Sequence, residues 1–95
     1  MHPMRRLAKA TIDQVKEFLS SHGILTGNPG ESIVGWSVSA VKPDSDDRLL
    51  ITSRPDNWPI INIDMVGPIR GRRKYGHIDI SETDLGVLLR MYELL

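Results

Sequence analysis

The sequence predicts one α+β domain, residues 1–95, in which an N-terminal helix, a three- or four-stranded antiparallel meander and a C-terminal helix share a single core, with both helices on one sheet face. Three observations predict it. Apolar residues recur at helical spacing at both ends of the chain and alternate in between. Clusters of turn-forming residues cut the middle stretch into short segments. The length leaves room for only one hydrophobic interior.

Stepping about 100° per residue from Met4, Leu7, Ala8, Thr11, Ile12, Val15, Phe18, Leu19 and His22 fall on one face, which predicts a helix over 4–22. Pro3 suits its first turn and Gly23 the left-handed position past its end. A rival start at Thr11, with Gln14 completing a capping box, ignores the periodicity upstream. Residues 26–32 hold dense turn chemistry and read as a loop. Val34, Trp36, Val38 and Ala40 then alternate with small polar residues, as a strand buried on one side does.

Residues 42–47 form a polar turn, and Arg48 to Arg54 is a second strand with Leu49 and Ile51 inward. After the turn 55–59, a third strand over 60–66 places Ile61, Ile63 and Met65 inward and Asn62 and Asp64 outward. Gly67-Pro68 ends it. A glycine-punctuated basic segment follows as a loop, and residues 77–80 read as a short fourth strand. Ser81 fits an N-cap, which predicts a final helix from Glu82 to the end.

Twelve basic side chains balance twelve acidic ones, so bulk charge gives no argument for nucleic acid or an anionic membrane. The absence of cysteine excludes disulfides and thiol chemistry and fits a reducing compartment, so a cytoplasmic location is expected. No signal-peptide pattern or membrane-spanning run is present, and no membrane partner is expected. His2, His22 and His77 have no ligand spacing between them. The glycine-rich segments match no phosphate-loop or dinucleotide pattern, and no serine sits in a nucleophile elbow. Neither a metal nor a cofactor is therefore expected, and no catalytic residue is assigned.

Three features are candidates for function. The segment from Arg70 through Arg72, Arg73, Lys74 and Tyr75 to His77 combines guanidinium groups suited to phosphate oxygens with a ring able to stack on a base. It is equally an ordinary solubilising turn. The outward face of the sheet gathers Ser37, Ser39, Arg48, Thr52, Arg54, Asn62, Asp64, His77 and Asp79, a set fit for polar recognition, although any one-sided sheet shows water a polar face. The last helix carries two apolar stripes where covering a sheet needs one. The second, Val87, Met91 and Leu94, is the candidate oligomer interface.

The order helix, three strands, helix is shared with double-stranded-RNA-binding domains. Those domains open the last helix with a basic cluster, whereas here it opens Ser81-Glu82-Thr83-Asp84, which repels phosphate. Small secretion-chaperone and inhibitor proteins share the same outline, also without a motif match, so no family is assigned.

The expected function is a small non-catalytic module, homodimeric and recognising a protein partner as an inhibitor, adaptor or chaperone-like protein does. One alternative is nucleic-acid or phosphate-ligand binding through 70–74. The other is a small enzyme using His77 with Asp79 or Asp64.

Overall fold

In the computed structural model, which describes residues 3–95, the chain runs α1 (Pro3–Ser21), β1 (Leu25–Thr26), β2 (Gly30–Glu31), β3 (Trp36–Val41), β4 (Arg48–Ser53), β5 (Ile60–Gly67), β6 (Gly71–Asp79) and α2 (Val87–Glu93). The strands make one antiparallel sheet in the order β1-β3-β4-β5-β6, with β2 also paired to β3. The class is α+β, but the sheet has six strands instead of three or four.

α1 forms where the periodicity places it and buries Ala8, Thr11, Ile12, Val15 and Leu19. Thr11 is no cap: it lies mid-helix with its hydroxyl donating to the Leu7 carbonyl at 2.8 Å. The helix stops because Gly23 adopts φ +77°, which lets Ile24 N–H reach the Leu19 carbonyl and Gly23 N–H the Ser20 carbonyl, both at 3.0 Å. Leu19 and Ile24 then meet in the core, the apolar contact that accompanies this cap.

The segment 26–32 is not wholly a loop. Leu25–Thr26 and Gly30–Glu31 each pair antiparallel with β3, on either side of Pro29. The proline lacks an N–H and interrupts the ladder, so the outer edge of β3 is covered in two short pieces. Between β2 and β3 a tight turn closes with Ser32 N–H to the Gly35 carbonyl at 2.8 Å. Its two central residues are Ile33 and Val34, so Val34 lies ahead of the strand rather than in it, and Ile33 is 96% exposed. Gly35 has to be glycine, since a Cβ there would fall against the Ser53 carbonyl oxygen.

β4 and β5 turn Leu49, Ile51, Ile61 and Ile63 to the core, where each is fully buried. A buried side chain of this size contributes about 1.5–3 kcal/mol, so these four with Ile12, Val15, Leu19 and Leu88 dominate the interior. Leu88 is the one α2 residue in that fully buried cluster.

The largest departure from the sequence reading is β6. Residues 71–76 are not a loop before a short strand: with 77–79 they pair along the whole of β5. Gly76 opposes Ile63 and Lys74 opposes Asp64, so Tyr75 is an extra residue, a β-bulge. The bulge breaks the two-residue period, which is why the segment does not read as a strand. On its outer edge β6 pairs with no strand among the described residues.

α2 is also shorter than expected. The Asp79 carboxylate accepts from both the backbone N–H and the hydroxyl of Ser81, and the Asp84 carboxylate from Gly86 N–H at 2.6 Å. These local bonds hold 79–86 in turns and delay the helix to Val87. Ser81 therefore caps nothing. No helix among the described residues is long and apolar enough to cross a membrane.

Candidate binding face of the sheet

Residues directly opposed in an antiparallel ladder share a face, so the pairings fix the composition of the side away from α1. One row runs Ser37, Thr52, Asn62, His77, the next Ser39, Leu50, Asp64, Lys74, and a third Val41, Arg48, Val66, Arg72. The bulge at Tyr75 decides the last column. Without it His77 would share a face with Arg73. With it, Arg72 and Lys74 join His77, while Arg73 turns to the other side beside Met65.

The basic segment is thereby split. Arg72 pairs with Asp64 on this face. Arg73 pairs with Asp47 at 3.1 Å, joining β6 to the acidic turn before β4. Arg70 is exposed in the β5–β6 turn, and Tyr75 packs partly against the core. Lys74 is exposed, and its side chain makes no hydrogen bond or ion pair among the described residues. The four cations therefore form no common anion cradle.

Asp64 differs most from its sequence reading. Although it lies on the uncovered face, it is only 7% exposed and engaged by Arg72. Arg54 lies just past β4 and grips Asp56 with two hydrogen bonds, of 3.1 and 2.9 Å. Arg48 is exposed on β4. His77 is exposed, while Asp79 holds Ser81 and Asp64 holds Arg72, and among the described residues no carboxylate orients the imidazole. His2 lies outside the described residues, and among those described no group of His, Asp and Glu could hold a metal ion.

Val34, Arg54, Asn57, Asp64, Arg72 and Lys74 wall a depression of about 240 Å³ floored by Thr52 and Asn62. A second, of about 210 Å³, adjoins it at Asn62 and Lys74 and extends to His77. Val34 and Asn57 were not legible as site residues, because each comes from a turn that folding brings to the rim. The one signal was an apolar Ile33-Val34 pair in a turn, where Gly, Asn and Asp are the usual residues.

On α2, Val87 and Met91 pack partly against the core, and Leu94 alone of the expected interface stripe is exposed, at 74%. Both stripes are thus largely used within the chain, because a seven-residue helix lying over a small core is covered on more than one side.

Comparison of the chain with protein-family models, with curated proteins and with solved structures returned no match.

Proposed function

We propose that the chain is a small non-catalytic binding module, working as a homodimer, that recognises a protein partner on the sheet face away from α1. In this reading both helices cover the other face, which the shared cluster of Ile12, Val15, Leu19 and Leu88 supports. The observation that carries it is the bulge at Tyr75, which aligns Arg72, Lys74 and His77 with Thr52, Asn62 and Asp64 on rigid strands. Strand positions hold side chains more precisely than loops, and two adjoining depressions there offer shape as well as polar groups.

Phosphate or nucleic-acid binding through 70–74 has less support, since Arg72 and Arg73 are already ion-paired within the chain. Self-association through α2 rests on Leu94, with the small size of the domain as a second argument.

A photo-crosslinking amino acid placed at Asn62 and, separately, at Glu17 on the exposed side of α1 tests the reading in cells. A discrete protein adduct from position 62 and none from 17 is the expected result. Adducts to nucleic acid, no adduct, or the same adduct from both positions would overturn it.

A further inference from the structure

We infer that the depression beside Lys74 takes a short acidic and apolar segment of the partner protein, one carboxylate followed by a large apolar side chain. The inference rests on the reading of this face as a protein-binding surface and adds the chemistry of what binds. It starts from a count of charges. Arg54 is matched by Asp56 and Arg72 by Asp64, which leaves the Lys74 ammonium on the rim with no anion among the described residues. The site is one negative charge short.

An incoming carboxylate supplies that charge, and the ion pair forms against strands that already fix Lys74 between the two depressions. Arg54 and Arg72 are already engaged by Asp56 and Asp64, so Lys74 alone of the cations lining the depression is open to an incoming anion. The fit is therefore to a single carboxylate and not to a run of phosphates. Stacking has little to work with, because the Trp58 indole is tied to Thr11 and Tyr75, at the edge of the second depression, packs partly against the core, which leaves the exposed His77 imidazole as the free ring on this face.

The apolar half of the argument lies in the β2–β3 turn. A turn this tight ordinarily carries polar residues, yet it presents Ile33 at 96% and Val34 at 45% exposure, with Val34 on the wall of the depression. Large apolar side chains held out on a rigid hairpin lose little entropy on contact and gain by covering apolar surface. A carboxylate at Lys74 and an apolar side chain over Val34 and Ile33 are the two anchors of one segment.

The test uses a blocked peptide with Asp followed by Leu and Phe, its Asn counterpart, inorganic phosphate and a single-stranded oligonucleotide, each titrated into the isotope-labelled chain. The Asp peptide should shift the amide signals of 33, 34, 54 and 72–74. Its affinity should fall about tenfold or more in Lys74→Glu and with the Asn peptide, since both remove the attraction. Lys74→Gln, with a smaller loss and unchanged thermal stability, separates the charge from any effect on folding. No shift at millimolar peptide, equal binding of the Asp and Asn peptides, or tighter binding of phosphate or oligonucleotide at these residues would overturn the inference. A position-62 adduct that persists in Lys74→Glu would overturn it too, while leaving the protein-binding face standing.

Discussion

The indole Nε1 of Trp58 donates to the Thr11 hydroxyl at 2.9 Å and ties the turn before β5 to the middle of α1. Thr11 in turn donates to the Leu7 carbonyl, so one buried hydroxyl serves the helix and the turn together. Trp58, set between Pro55 and Pro59, is half-buried, with its indole nitrogen held against α1.

Removing that hydroxyl by Thr11→Val keeps the shape but leaves the indole N–H without its partner. The expected loss is about 1–3 kcal/mol in urea denaturation. Trp58→Phe in the same background should cost less than it does alone, and fully additive effects would show that the two residues do not interact.

Asp64 and Lys74 face one another across β5 and β6 and should respond oppositely to truncation. Asp64→Ala removes a carboxylate that is itself buried and leaves the exposed Arg72 without its partner, which should cost about 1 kcal/mol. Lys74→Ala and Arg54→Ala should leave the denaturation midpoint nearly unchanged, as exposed positions do. A silent Asp64→Ala would contradict its burial.

On α2 the exposed and the packed apolar residues are separable by charge. Leu94→Glu should leave the fold intact and yield a smaller particle in sedimentation, whereas Met91→Glu should lower thermal stability, because Met91 packs against the core. Wild-type protein that sediments as a monomer at high concentration removes the dimer.

Two glycines give a graded test of the backbone. Gly35→Ala drives a methyl group into the Ser53 carbonyl and should cost about 1–3 kcal/mol. Gly23→Ala meets no atom within 4 Å and carries only the cost of its φ of +77°, roughly 1 kcal/mol. Equal losses would mean that the β2–β3 turn relaxes around the added carbon.

α1 was legible because its period runs unbroken over five turns, and β4 and β5 because Leu49, Ile51, Ile61 and Ile63 alternate cleanly. β6 was not, since it is an edge strand rich in charge and the extra residue at Tyr75 shifts its phase. The late start of α2 was hidden because Asp79 and Ser81 suit a cap and a local turn equally well, and only the folded backbone chooses. For the site, the sequence named the cations but not their partners. Arg72 meets Asp64 and Arg73 meets Asp47 through pairings that no local pattern encodes. The burial of Asp64 follows from the same pairing.

The bulge at Tyr75 also makes this surface tolerant of a change in chain length at one point. Ile78 is held in the core, so losing residue 75 would leave 76–79 in place and close the ladder, with Lys74 still opposite Asp64 and Arg73 still opposite Met65. Arg72 and Lys74 would stay outward and Asp64 would keep its cation. One in-frame codon can therefore be lost here while the charges offered to a partner stay the same, a freedom that the paired positions on either side do not have.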